Sequence, residues 1–121
     1  MTTHRIDRIN KEFLRQISEI LQLRIKNEIV ANAILTKVNV SRDLGYAKVL
    51  YTFIDPSIKE TLQQGLDNAA GQVRSILGKE MKLRTVPELH FIYDDSEAKA
   101  RAMDELLDRV AAMDAERAKG L

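Results

Sequence analysis

Between Leu62 and Phe91 a helical apolar stripe runs straight through an Ala69-Ala70-Gly71 step and then yields to basic residues and a strand. No other stretch restricts the fold as tightly. Leu62, Leu66, Ala69, Val73, Ile76 and Leu77 keep one helical phase on both sides of Gly71. A glycine inside a helix costs about 1 kcal/mol relative to alanine. A stripe that persists across it predicts two short helices meeting at a kink, or a close approach of the helix to neighbouring backbone, rather than a loop. Arg74, Lys79, Lys82 and Arg84 follow with only Glu80 opposing them, which sets a positive patch beside the bend.

The flanking segments supply the rest of a small α+β domain. From Arg5 to about Lys26, Ile6, Ile9, Phe13, Ile17, Ile20 and Leu21 recur at three- and four-residue steps, an amphipathic helix with Thr3 as its cap. Residues 27 to 33 form a connector. Ile34, Thr36, Val38 and Val40 then alternate with Leu35, Lys37, Asn39 and Ser41 as one strand. Arg42-Asp43-Leu44-Gly45 turns the chain into a second, Tyr46 to Ile54, giving an antiparallel hairpin. Pro56 suits a helical first turn, and Ser57 with Glu60 reads as a capping box for the glycine-bearing helix. Val86 to Tyr93 is a third strand, with Pro87 pointing to its entry or to a sheet edge. Asp94 with Glu97, or Ser96, caps a last helix whose Met103, Leu106, Leu107, Val110 and Met113 form a stripe expected to pack on the domain.

Composition narrows the function classes. The chain has 121 residues, enough for one domain, and no apolar run long enough to span a bilayer. With no cysteine, it has no disulfide, thiolate metal site or thiol nucleophile. His4 and His90 are too few and too far apart in sequence for a zinc site. Ser41, Ser57, Ser75 and Ser96 have no histidine nearby in sequence. Asp94-Asp95 reads as a helix start rather than a cation site, and Gly65, Gly71 and Gly78 sit at helical positions, not in a phosphate loop. No catalytic residue, metal or cofactor is therefore expected. Residues 1–93 carry 14 Lys+Arg against 10 Asp+Glu, and residues 94–121 carry 5 against 8, so the basic character belongs to the body. This charge balance points to a directed patch rather than indiscriminate nucleic-acid binding.

Two stretches carry a family resemblance. The hairpin Val40-Ser41-Arg42-Asp43-Leu44-Gly45-Tyr46-Ala47-Lys48-Val49, together with Ala69-Ala70-Gly71, Arg74 and Leu83-Arg84-Thr85-Val86-Pro87-Glu88-Leu89, resembles the ribosome-binding factor A family, bacterial assembly factors of the small ribosomal subunit. The resemblance implies an α+β, type II KH-like domain in the order α-β-β-α-kink-α-β. Its three-stranded mixed sheet would have the first strand central and the third beside it in parallel, with helices on one face. Residues 1–95 would form the RNA-binding part, and 96–121 a C-terminal amphipathic helix of the same domain. Where many KH domains carry a flexible Gly-x-x-Gly loop, this chain has Ala69, Ala70 and Gly71, which implies holding RNA by shape and side-chain charge. In place of the family's Asp-Pro-Arg step after the first helix stands Glu28-Ile29-Val30-Ala31-Asn32.

By the same resemblance, the chain is a cytoplasmic, monomeric, non-enzymatic factor that binds the maturing small subunit and its rRNA. It would promote late rRNA maturation and cold adaptation, alongside other assembly factors and without a membrane. Arg74, Lys79, Lys82 and Arg84 are the phosphate-positioning candidates, and Arg42 and Lys48 on the hairpin extend the footprint. The aromatic residues sit at strand and core positions, so no base-stacking surface is expected. The alternative is a KH-like protein-interaction module, in which the apolar stripe of the last helix matters and the basic face does not.

Overall fold

Apolar residues at three- and four-residue steps build α1, Thr2–Leu23, which lays Phe13, Ile17, Ile20 and Leu21 into the core. A computed structural model describes the backbone of residues 2–119 and the side chains of residues 5–115. Thr3 lies inside α1 rather than at its cap, and its side chain is outside the described set; the helix ends three residues before Lys26. The connector is a 3₁₀ turn, Glu28–Asn32, started by the Asn27 side chain accepting from the Ile29 N–H and anchored by fully buried Val30. Val30 packs where the sequence shows only a mixed linker.

β1 (Ile34–Val40) and β2 (Tyr46–Thr52) pair antiparallel, and β3 (Glu88–Tyr93) joins β2 in parallel, giving the order β1-β2-β3. The second strand is central, not the first as the resemblance implied. Burial shows why: Ala47, Val49 and Tyr51 of β2 are fully buried. β1 carries an irregularity suited to an edge. Leu35 faces Tyr51, yet Lys37 already faces Leu50, so Thr36 is an extra residue that reverses the side-chain phase. Ile34 is consequently 46% exposed while Leu35 packs on the core, opposite to the alternation expected from Ile34 through Val40. At the end of β1, Asn10 Oδ1 of α1 accepts from the Val40 N–H at 2.9 Å. β3 is the other edge, and buried Pro87 precedes it at the entry position expected of it.

α2, Lys59–Met81, is one unbroken helix through Ala69-Ala70-Gly71, where two were expected. Leu62, Leu66, Ala69, Val73 and Leu77 form its buried face, each large side chain contributing roughly 1.5–3 kcal/mol. Gly71 approaches nothing: a Cβ there would meet no atom within 4 Å. The close approaches fall one turn or more away, where a Cβ on Gly65 would lie 2.7 Å from Ile29 Cγ2 and one on Gly78 would lie 2.6 Å from Val86 Cγ2. The expected capping box is also absent. Asp55 accepts from the Ser57 N–H and hydroxyl and starts a short 3₁₀ turn, Pro56–Ile58, ahead of α2.

α3, Ser96–Lys119, does not bury its stripe. Every described side chain from Ser96 to Ala115 is exposed, and Met103, Leu106, Leu107, Val110 and Met113 are 46–57% exposed. The expectation that this stripe packs on the domain is therefore corrected. The stripe's regular spacing shows a helix with two faces, but none of the described residues covers the apolar one. Asp94 Oδ1 accepts from the Ser96 N–H, and Asp94 Oδ2 from Thr36 Oγ1 at 2.7 Å, so the bulge residue of β1 ties down the start of α3. The Ser96 side chain first, then Thr36 and the Ser96 N–H, hold the Asp94 carboxyl down at about 2.

Candidate nucleic-acid interface

The C-terminal end of α2 gathers the basic residues read from the sequence. Lys79 lies in the last turn, Lys82 closes the helix in the left-handed region (φ 52), and Arg84 follows; all three are exposed. The helix closes by Leu83 N–H donating to the Gly78 carbonyl at 3.0 Å, so the chain reverses sharply and keeps Lys82 and Arg84 at the helix end. Cations here also complement the negative end of the helix dipole. Glu80, the one carboxylate in this stretch, bonds Arg24, the residue just after α1, at 3.0 Å across 56 positions of sequence. The pair neutralises Glu80 locally and leaves Lys79, Lys82 and Arg84 unopposed by it.

Arg74 does a second job. Its Nε and Nη2 both donate to the Val86 carbonyl, at 3.1 and 2.8 Å, fixing the loop between α2 and β3. Two of its five N–H groups are thereby committed, and the exposed remainder is left for an anion. Arg74, Ala70 and Gly71 form one wall of a groove of ≈ 440 Å³ whose other wall is β3 with Tyr46 behind it. The missing side chain at Gly71 opens this groove within a continuous helix. Asp67 and Glu88 also line it, so its charge is mixed, and the unopposed cations lie at the helix end instead.

Arg42 and Lys48 are not part of that cluster. Lys48 lies on the open sheet face between Asn39 of β1 and His90 of β3. Beside it the Tyr46 and His90 rings stack at 4.2 Å, with Tyr46 36% exposed. This aromatic surface was not expected, because only strand register brings the two rings together. Phe13, Tyr51 and Phe91 are buried as expected of core positions. His90 Nε2 stands 3.4 Å from Glu88 Oε1 without hydrogen-bond geometry. Tyr51 donates to Gln63 Oε1, and Gln63 Nε2 in turn donates to the Asp67 carboxylate and the Phe91 carbonyl, locking α2 against the sheet behind the groove. Burial, ahead of the Asp67 charge, pushes the Tyr51 hydroxyl up from its ordinary value.

Arg42 sits in the β1–β2 turn. The turn is held by Leu44 N–H donating to the Ser41 carbonyl and by Asp43 Oδ1 accepting from Ser41 Oγ and the Gly45 N–H, which also keep the Asp43 carboxyl below its usual range. The left-handed position is Leu44 (φ 58), not Gly45, at a cost of about 1–2 kcal/mol. Among the described residues no cluster of three or more His, Asp or Glu side chains is placed to hold a metal, and no helix is long and apolar enough to cross a membrane.

A family model for ribosome-binding factor A matches residues 5–107. The chain belongs to the ribosome-binding factor A family. Among curated proteins it is similar to ribosome-binding factor A of Thioalkalivibrio sulfidiphilus, 39% identical over 91% of this chain and 86% of that one. The Chromobacterium violaceum protein of the same name is 36% identical over 93% of this chain and 82% of its own. Of solved structures, the Thermus thermophilus factor shares the fold at a TM-score of 0.64 and 17% identity, covering 73% of this chain and 93% of that one. A Thermotoga maritima protein, a putative ribosome binding factor A, aligns at 0.59 and 26% identity over 73% of this chain and 85% of its own. A Thermus thermophilus model fitted into a map of a 30S complex aligns at 0.61 and 17% identity over 71% and 91%. This family member has an α+β fold with a three-stranded mixed sheet, and the solved structures share that fold.

Proposed function

We propose that this chain is a non-enzymatic assembly factor that binds the maturing small ribosomal subunit through the basic end of α2. Lys79, Lys82, Arg84 and the free part of Arg74 position phosphates of folded rRNA, and Lys48 and Arg42 extend the contact. The observation that carries the reading is the diversion of Glu80 onto Arg24, which leaves the cations at this helix end unopposed by their one acidic neighbour. Family membership supports the partner, because a relative of the same fold was fitted into a 30S complex. A protein that binds one rRNA conformer better than another shifts the population toward it without turnover. Misfolded RNA pairings escape more slowly in the cold, so such a factor in the cytoplasm matters most for late rRNA maturation at low temperature.

Four phosphate contacts at a slope of roughly −0.7 each lower affinity about 50-fold between ~50 and ~200 mM salt. The test is co-sedimentation with separated ribosomal subunits across that range. Lys79→Glu/Lys82→Glu is the better variant, because reversing Arg74 would also free the Val86 carbonyl. Salt-sensitive binding to the small subunit, lost in the variant, is expected; binding that ignores both salt and charge reversal refutes the proposal. One observation favours the second reading, a protein-docking module: the uncovered stripe of α3. That reading requires Leu106→Asp to abolish binding and the lysine variant to leave it intact.

A further inference from the structure

A second cavity, of ≈ 310 Å³, lies between the start of α1 and the β1–β2 turn and shares no lining residue with the groove beside β3. Arg5 and Arg42 flank it, and Ile6, Ile9 and Leu44 make its floor. Among the described residues no carboxylate lines it. Asp43 is turned onto Ser41 and Gly45, and Asp7 lines the neighbouring depression with Asn10 and Lys11. Two guanidinium groups over an apolar floor select a ligand that is anionic at one end and flat or apolar at the other.

The floor is held there against local preference. Leu44 occupies a left-handed backbone position although a glycine, which would take it freely, is the next residue. Leu44 is half-buried, packing partly against the core, and the rest of its side chain lines the cavity. A bulky residue kept at positive φ by a bonded turn, with its side chain forming a cavity wall, is the pattern of a ligand clamp.

We propose that this cavity takes one unstacked nucleotide of single-stranded RNA, its phosphate between Arg5 and Arg42 and its base laid on Ile6, Ile9 and Leu44. The proposal rests on the reading of the chain as an rRNA binder. The volume falls at the lower end of the range of about 300–1,000 Å³ for small-ligand pockets, which suits one nucleotide and not a duplex. Extruded bases are commonly held against apolar side chains and guanidinium planes. An acidic peptide would use the two arginines but would leave the apolar floor without a matching surface.

The test follows backbone amides of the full chain by NMR while a short single-stranded oligoribonucleotide, or the abasic ribose-phosphate oligomer of equal length, is added. With the base-bearing RNA, the amides of Ile6, Ile9 and Leu44 should shift. Leu44→Gly, which relieves the backbone and removes the floor, should weaken that RNA at least about fivefold, as loss of an apolar contact of this size does, and leave the abasic oligomer unchanged. Leu44→Asn, which tolerates the same backbone position, repeats the test should the glycine variant misfold. Arg42→Gln should weaken both oligomers. Equal binding of RNA by wild type and Leu44→Gly, an equal loss with the abasic oligomer, or polyglutamate shifting the same amides as strongly as RNA would overturn the proposal. Subunit co-sedimentation of the same proteins separates the two readings. A wild type that ignores the small subunit refutes the assembly role, whereas retained sedimentation with no Leu44 dependence in the titration refutes the cavity alone.

Discussion

Gly71→Ala should stabilise this protein, although Gly71 belongs to the motif that most resembles its family. The residue lies inside α2, is exposed, and a Cβ built on it meets no atom within 4 Å. The substitution therefore gains helix propensity, about 0.8–1.0 kcal/mol, with no steric cost and no new burial. For a chain of this length that is an upward shift in Tm of roughly 3–5 °C. Gly78→Ala offers the same propensity gain but places its Cβ 2.6 Å from Val86 Cγ2. Val86 is β-branched with little rotamer freedom, and its carbonyl is clasped by Arg74, so it yields poorly. Overpacking of this kind costs about 1–3 kcal/mol, so Gly78→Ala should come out neutral to destabilised by about 2 kcal/mol. Urea denaturation of the two variants beside the wild type reads both midpoints at constant m. A destabilised Gly71→Ala would show that the helix needs a glycine bend there. A Gly78→Ala as stable as Gly71→Ala would show that the loop from Lys82 to Pro87 does not seat against α2.

Other outcomes follow from single contacts. Asp94 has a folded pKa of about 2 against roughly 3.9 in the unfolded chain, so it contributes stability above pH ~4 that disappears as pH falls through ~2. Asp94→Asn should therefore lower the urea midpoint at pH 7 and leave it nearly unchanged at pH 2; an equal loss at both pH values would refute the assignment. Leu107→Ser, on the uncovered face of α3, should alter stability by no more than about 0.5 kcal/mol. A loss above about 1 kcal/mol in the same denaturation assay would mean that α3 docks on the domain in solution.

The helices and strands were legible because each buries one face, and burial leaves a period in the sequence: the stripes of α1 and α2 reappear almost residue for residue as core. The features that escaped are those in which one local bond outweighs the pattern. The alternation from Ile34 to Val40 is regular, yet Thr36 is extruded as a bulge, where its hydroxyl reaches Asp94, a partner 58 positions away. Ser57 and Glu60 spell a capping box, but Asp55 lies nearer to the free Ser57 N–H and takes it first. Gly45 advertises a positive φ that Leu44 adopts instead.

The candidate site divides along the same line. Lys79, Lys82 and Arg84 were legible as a cluster because they are neighbours in sequence at the end of one helix. Their environment was not, because Arg24, just past the end of α1, pairs with Glu80 and Arg74 is half-spent on a loop carbonyl. Arg5 carried no signal at all, since only the tertiary fold brings the start of α1 against Arg42. Electrostatic character belongs to such juxtapositions rather than to residue counts. The chain's formal net charge is +1, yet with Glu80 paired to Arg24 the end of α2 presents Lys79, Lys82 and Arg84 together. A protein nearly neutral overall thus avoids gripping every RNA it meets while keeping one strongly positive corner, which suits a ribosome-binding factor.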